Sequence, residues 1–494
     1  MAVAALWLAL GAPLLRTAFP PRRGVRAPAM RCDAASAIVL LDSYEQTVRA
    51  LLDEIESCSR GDAVYFQLYL LEQGASSERV LAALEEAGSV RGVRVSFALD
   101  VSYVSMLSRL TEKTTTLLPR VERMSPEWCT CTYGSKPDHS KYALFVRPRG
   151  ASSAVLGGMN LGDRFADWRD FSVRIGAPHA DALAPLVAPP PTPSPTAAHA
   201  TRLALLTPLA AALTALALGT AATAAPLALC HLALTSDTSF AAATLATLAS
   251  SSAAAAALGG AAFSLPRELR AATAALACDR SWLGDVFAPL RPPPPPPPPL
   301  PRAAVSFVSN RRAYGRYEVQ PAFASLFGEA ALVHYRVAMA YLGPRWGVEM
   351  VELALRRGAR VDLLLPAQAN VYAHANLKAA QKLLDGGWPT LRVYLSPQMI
   401  HAKATLARTA SGDGVAFLGS ANLVRGSLNP PVWCELLPYD ELNALLRDAA
   451  LCDALDASMQ RWFDEARLLP AGERLLERCE WYREPSAWLD ELWQ

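Results

Sequence analysis

The chain has almost no net charge: 47 Lys and Arg stand against 45 Asp and Glu, a formal charge of +2. A dedicated nucleic-acid binder carries a basic field, so the composition speaks against that partner. Histidine is scarce, with seven in 494 residues, so any histidine that recurs in a pattern stands out. The nine cysteines have no paired framework. Cys129 and Cys131 form C-x-C rather than C-x-x-C, and no Cys/His cluster has zinc spacing. No metal and no organic cofactor is implied.

Charge is also missing locally. Met1 to Leu15 is apolar and uncharged, and the next stretch, to Arg31, is basic and free of acids. Residues 1–31 read as a signal sequence or anchor. They also read as an organellar transit segment, since Thr17-Ala18-Phe19-Pro20 looks like the junction of bipartite plastid signals. Leu203 to Ser236 and Phe240 to Leu265 hold no charged residue, and Pro292 to Pro299 is an unbroken proline run. Residues 179–302 therefore read as an Ala/Pro-rich, low-complexity insert. Its first uncharged stretch is long enough to span a bilayer. A single crossing would separate the chain's two halves, so a hairpin, a surface location or no crossing at all remain open.

What is present is a repeated pattern. Asp138-His139-Ser140-Lys141 is followed by Gly157-Gly158-Met159-Asn160, and Ile400-His401-Ala402-Lys403 is followed by Gly419-Ser420-Ala421-Asn422. His139 to Asn160 and His401 to Asn422 are both 21 positions. The residue types suit a phosphodiester. One histidine can attack phosphorus while a second acts as general acid. Two lysines and two asparagines can hold the anionic oxygens as charge builds. Imidazole is available neutral near physiological pH. In H-x-K the period of a strand places His and Lys on one face.

The flanking sequence repeats too. In 32–178 a helical stretch, the apolar run Ala63 to Leu70, the amphipathic Ser77 to Ala87 and the Arg91-Gly92-Val93-Arg94 turn into a strand lead up to the first motif. In 303–494 a helix over Glu318 to Ala330, the run Ala331 to Met339, a helix over Val348 to Arg356 and Arg357-Gly358-Ala359-Arg360 lead up to the second. Strand, helix, strand and H-x-K hairpin in the same order imply a duplicated α/β unit. The region beyond, rich in Trp, Leu and acids, reads as packed helices. His334 and His374 read as structural.

With these motifs the chain resembles the phospholipase D superfamily in its two-motif form, and within it cardiolipin synthases and similar phosphatidyltransferases. The resemblance implies two similar sandwich halves forming a pseudo-dimer, with one active site between them and no obligate homodimer. It implies phosphatidyl transfer or hydrolysis through a phosphohistidine, on a phospholipid at a membrane surface. The location implied is membrane-associated, in an organelle or the secretory pathway. The implied catalytic set is His139, Lys141, Asn160, His401, Lys403 and Asn422, with His139 as nucleophile and His401 as acid. Asp170, in Trp168-Arg169-Asp170, and Glu435, in Trp433-Cys434-Glu435, match the acids that orient the histidines. The family pattern H-x-K-x(4)-D is broken: its aspartate is Val146 in one copy and Arg408 in the other, with Asp413 a few residues on. A nuclease of the same superfamily and a catalytically degenerate member are the rival readings.

Overall fold

The computed structural model describes residues 38–100, 117, 120–121, 123–134, 138–187, 298–311, 316–371, 373–428, 439–470 and 472–475. All of them belong to one compact unit, Ala37–Thr201 with Asp279–Gln494. The second unit, Met1–Ser36 with Arg202–Cys278, lies outside the described residues, and with it the expected leader and both uncharged stretches.

The compact unit holds two sheets. The first is ordered β1-β7-β6-β5-β2-β3-β4. Its strands are β1 (Ile38–Leu41), β2 (Ala63–Leu68), β3 (Arg94–Asp100), β4 (Cys129–Gly134), β5 (Tyr142–Val146), β6 (Ser153–Gly157) and β7 (Ser172–Gly176). The second contains β8 (Val305–Arg311), β9 (Arg316–Tyr317), β10 (Leu332–Met339), β11 (Arg360–Pro366), β12 (Leu391–Ser396), β13 (Lys403–Thr409), β14 (Gly414–Gly419), β15 (Glu441–Leu446) and β16 (Arg467–Leu468). It is ordered β9-β8-β15-β14-β13-β10-β11-β12-β16. Removing the short edges β9 and β16 leaves the order of the first sheet, strand for strand. The duplication expected from sequence is thus a duplication of topology.

The local causes repeat as well. Gly92 and Gly358, in the two Arg-Gly turns, have φ of 69° and 80°, a region an L side chain enters at a cost. Each turn feeds a strand that runs parallel to its neighbour, β2 with β3 and β10 with β11. α1 (Tyr44–Glu56) begins at Ser43, whose hydroxyl caps Gln46 N–H, and it buries Val48, Leu51 and Ile55 on one stripe. α2 (Ala75–Ser89) buries Val80, Leu81, Leu84 and Ala87. The second half has α4 (Val319–Gly328), α5 (Trp346–Leu355) and α6 (Ala373–Asp385).

The inner faces of the two sheets share one apolar core. The first sheet contributes Leu144, Leu156, Val173 and Ile175; the second contributes Ala404, Ala416, Ala444 and Leu406. Side chains of the two inner faces interdigitate in this shared layer, as in packed sheets generally. α7 (Ala449–Asp464) closes this core with Leu455, Met459 and Trp462, the last stacked on Phe171 at 4.3 Å.

Two boundaries of the expected insert shift inward. Residues His179–Val187 form α3, and Ala180, Leu183 and Val187 are buried in the shared core. At the other end Leu300 is buried in the core of the second half. The periodicity at 180, 183 and 187 is helical, but the alanines and prolines nearby masked it. Among the described residues no helix is long and apolar enough to cross a membrane.

Candidate active site

Both H-x-K motifs arrive at the ends of central strands. β5 pairs with β2 and β6; β13 pairs with β10 and β14. The strands begin at Tyr142 and Lys403, so each histidine lies just before its strand. Each lysine folds back, and its Nζ donates to the carbonyl of its own histidine, His139 O or His401 O. All six motif residues are buried.

The halves complete each other's histidines. Nδ1 of His401 lies 2.7 Å from Oδ2 of Asp170, a residue of the first half. Nδ1 of His139 lies 3.2 Å from Oε1 of Glu441 and 3.0 Å from the Ser420 carbonyl, both in the second half. A carbonyl can only accept, so the His139 proton sits on Nδ1 and the Nε2 lone pair is free to act as base or nucleophile. Nε2 of His401 is 3.1 Å from Lys403 Nζ.

Backbone contacts enforce the exchange. Arg169 N donates to Met399 O at 2.9 Å, and Arg169 O accepts from His401 N at 2.8 Å. In the mirror position His139 N donates to Asp440 O at 2.9 Å. The middle residue of Trp168-Arg169-Asp170 therefore bridges to the residue before His401, and the middle residue of Tyr439-Asp440-Glu441 to the residue before His139. An extended aromatic-x-acid triplet puts ring and carboxylate on one face. Trp168 lies 5.0 Å from the His401 ring, and Tyr439 lies 5.5 Å from the His139 ring. Tyr69 and Tyr341 contribute the second ring to each histidine, at 4.9 and 6.4 Å. The same tyrosines face the ammoniums of Lys141 and Lys403, at 5.3 and 5.8 Å.

The acid expected at Glu435 is a correction. Residue 435 lies outside the described residues, and the carboxylate found on His139 is Glu441. Trp433-Cys434-Glu435 and Tyr439-Asp440-Glu441 share the aromatic-x-acid pattern, and spacing from Asn422 favoured the nearer one. The signal that distinguishes them lies downstream of each acid: Glu441 opens a buried strand, Glu441–Leu446, paired with β14 and β8.

The G-[GS] element now has a physical reason. A Cβ on Gly158 would sit 2.4 Å from Oδ1 of Asp170, so glycine there makes room for the acid. At the matching position Ser420 donates its hydroxyl to Oε2 of Glu441, and Ser427 donates to Oε1 at 2.6 Å. The amide oxygen of Asn160 accepts from Leu70 N at 3.1 Å, whereas that of Asn422 is buried with no partner.

The broken aspartate positions lie away from this chemistry. Val146 is the last residue of β5, five positions or about 17 Å of strand beyond Lys141. Arg408, near the end of β13, pairs instead with Asp453 at 2.8 Å and Asp456 at 3.2 Å. Asp413 takes no part in the site; it accepts from Ser411 at 2.7 Å in the β13–β14 turn. His334 is structural, 2.9 Å from Asp362.

Burial sets the protonation of the site. It is the largest cause lowering His139 to about 4 and His401 to about 3, followed by the charge of the lysine in each motif. Both imidazoles are thus neutral at physiological pH. Burial likewise lowers Lys141 to about 7, with Lys403 adding to the effect, and lowers Lys403 to about 8. Asp170 and Glu441 are held below the usual carboxylate range: burial opposes this, and contacts with His401 and His139 outweigh it. Two crowded lysines and two ionised carboxylates thus surround two neutral imidazoles.

Residues 327–463 match the family of cardiolipin synthase, PLD-like domains. No curated protein matches the chain in sequence. Among solved structures, phosphatidylserine synthase of Haemophilus influenzae Rd KW20 is 14% identical, with a TM-score of 0.51 over 92% of this chain and 93% of that one. Polyphosphate kinase of Porphyromonas gingivalis is 13% identical, TM-score 0.44, over 92% of this chain and 53% of that one. Nuc of Salmonella typhimurium is 14% identical, TM-score 0.27, over 33% of this chain and 97% of that one. Residues 327–463 are thus similar to a cardiolipin synthase, PLD-like domain, and the fold of the chain is similar to that of the phosphatidylserine synthase.

Proposed function

We propose that the protein is a phosphatidyltransferase acting on phospholipids, cardiolipin synthase-like, with hydrolysis when water replaces the acceptor alcohol. The observation that carries this is the reciprocal pairing of His139 with Glu441 and His401 with Asp170. It yields two oriented imidazoles and two lysines in one buried site, the set that in-line displacement at a phosphodiester requires.

In the first step Nε2 of His139 attacks phosphorus. The N–P bond forms as the bond to the leaving alkoxide breaks, and His401, protonated in the complex, gives that alkoxide a proton. The phosphodiester's negative charge offsets the lysines, which raises both histidines from their depressed values. Glu441 stabilises the positive charge that develops on His139. Lys141, Lys403 and the amides of Asn160 and Asn422 hold the equatorial oxygens. In the second step an acceptor alcohol loses its proton to His401 and displaces His139 from phosphorus.

Transfer between two phosphatidylglycerol molecules fits the family match over residues 327–463. The likeness of fold to a phosphatidylserine synthase supports a phospholipid phosphodiester as substrate class. The net charge of +2 weighs against a nucleic-acid substrate. The test is parallel incubation with labelled phosphatidylglycerol, phosphatidylcholine and single-stranded DNA. Turnover of a phospholipid with the DNA intact is the expected result; cleavage of DNA alone overturns it.

A further inference from the structure

Cys129-Thr130-Cys131, which the phosphodiester site does not use, lies on β4 at the edge of the first sheet. Among the described strands β4 pairs with β3 alone, with Cys129 opposite Val95 and Cys131 opposite Phe97. Side chains alternate along a strand, so the two thiols share one face. Thr130 takes the other face, where its hydroxyl lies 2.9 Å from that of Ser96. The thiols of Cys129 and Cys131 are in hydrogen-bond contact with each other. A third sulfur joins them: the Cys129 thiol donates to Sδ of Met124 at 3.9 Å. Backbone bonds from Met124 N to Val121 O, 3.1 Å, and from Cys129 N to Ser125 O, 3.0 Å, hold the segment that brings Met124 to the strand. Cys129 and Met124 are buried and Cys131 is half-buried. The buried Cys58, by contrast, donates to the Glu54 carbonyl at 3.2 Å.

Two thiols and a thioether form an all-sulfur set. Among the described residues no three His, Cys, Asp or Glu side chains gather to hold a metal, so this trio lacks the fourth donor of a tetrahedral zinc site. It also lacks the oxygen ligands that calcium and magnesium take. Thiolate and thioether donors select Cu(I). A metal about 2.3 Å from three sulfurs at trigonal angles holds them about 4 Å apart. Cys129 Sγ and Met124 Sδ already stand 3.9 Å apart. Same-face neighbours on a strand are about 6.6 Å apart at Cα, the far end of the range for a disulfide. A bridging metal closes that gap without bending β4. Val95 and Phe97, the partners across β3, are both buried and keep water from this face. Half-buried Cys131 leaves the way in from the sheet edge.

We propose that Cys129, Cys131 and Met124 form a Cu(I) site at the edge of the first half, separate from the phosphodiester chemistry. Binding replaces two S–H bonds by two Cu–S bonds, and the two protons leave to solvent. The thioether adds a lone pair, and copper keeps its oxidation state. The occupied site ties Met124 to β4, whose last residue, Gly134, stands five positions before His139. Copper thereby braces the strand that leads to the first motif.

The test is an anaerobic titration of the full, reduced chain with Cu(I), supplied as its acetonitrile complex, against a chromogenic Cu(I) chelator. Wild type should hold one more Cu(I) per chain than Cys129→Ser or Cys131→Ser, with a thiolate-to-copper charge-transfer band that both variants lack. Loss of an outer-shell partner costs about 10–100-fold in metal affinity, so loss of a thiolate should cost at least about 100-fold. Met124→Leu conserves volume and should nearly keep the melting temperature of the metal-free protein. It should still weaken Cu(I) binding at least about tenfold, a combination that lost packing does not give. Copper-edge X-ray absorption at one equivalent should count three sulfur neighbours in wild type and two in Met124→Leu. Cys131→Ser, at the half-buried position, carries the test if Cys129→Ser does not fold. Unchanged Cu(I) uptake in the folded cysteine variants overturns the proposal, as does a wild type that yields all its Cu(I) to the chelator. Retention of Zn(II) in preference to Cu(I) overturns it as well.

Discussion

The Glu441 carboxylate lies 3.2 Å from Nδ1 of His139, although the two residues are 302 positions apart and belong to different halves. Asp170 and His401 repeat the relationship over 231 positions. Neither half therefore contains a complete histidine–acid pair, and duplication without correct docking of the sheets would give no site.

Glu441→Gln should remove the charge that stabilises the His139 imidazolium while keeping the shape. The expected loss in kcat is about 100-fold or more with little change in KM, since the interaction strengthens as charge develops. The same substitution at Glu435 should cost at least about tenfold less. Steady-state kinetics of the two variants side by side checks which acid serves His139.

Gly158→Ala should be more damaging than its one methyl group suggests. The new Cβ would meet the Asp170 carboxylate 2.4 Å away, moving the acid from His401. A loss of at least about tenfold in kcat is expected, because small displacements of a positioned group are costly. Ser420→Ala, the matching position, leaves Glu441 short of one donor and should cost about 1 kcal/mol of stability. Thermal unfolding and kinetics of both variants separate the two effects.

Stability should fall as the solution is acidified through the histidine range. His139 at about 4 and His401 at about 3 lie below the ordinary value near 6.5, so between those limits the unfolded chain takes up more protons than the folded one. The contribution is fully present above about pH 6.5 and is lost on the way down to about 3. Lys141 at about 7 and Lys403 at about 8, depressed from about 10.4, act in the same direction at higher pH: stability falls from about pH 10.4 toward neutrality. Melting curves from pH 7 to pH 4 should therefore be flatter for the double variant His139→Asn, His401→Asn than for wild type. An equal slope would contradict the neutral, buried assignment.

Much of this was legible before the structure. The repeat of H-x-K with G-[GS]-x-N announced the site residues, and the recurring Arg-Gly turn announced the duplicated topology, because both depend on local chemistry that leaves a pattern. The partner of His139 did not. Tyr439-Asp440-Glu441 and Trp433-Cys434-Glu435 read alike as strings, and only the pairing of β15 with β14 and β8 decides between them. The rings of Tyr69 and Tyr341 were equally hidden, since each comes after an apolar strand and resembles more core. The edge of the insert was misplaced for a compositional reason: α3 is built of Ala, Leu and Pro like the residues after it, and only contact with the shared core distinguishes Ala180, Leu183 and Val187.

Removal of residues 190–296 in favour of a Gly/Ser linker of about 20 residues should leave folding and turnover largely intact. A deletion that starts at His179 should cost several kcal/mol more, about 2–4 for lost apolar burial at Leu183 alone. Soluble yield and melting temperature of the two deletions report where the compact unit ends. Insolubility of the shorter deletion would mean that the insert contributes to the core.

The most direct measurement traps the covalent intermediate. Wild-type protein and the His139→Ala and His401→Ala variants are quenched after brief exposure to phospholipid labelled in its phosphatidyl group, and acid-labile, base-stable label is mapped to a peptide. The predicted result is label on His139 in wild type, none in His139→Ala, and retained label in His401→Ala when the leaving alcohol is a good one. Label that survives in His139→Ala and vanishes in His401→Ala would reverse the two roles. Absence of label and of turnover in wild type would contradict the phosphohistidine site itself.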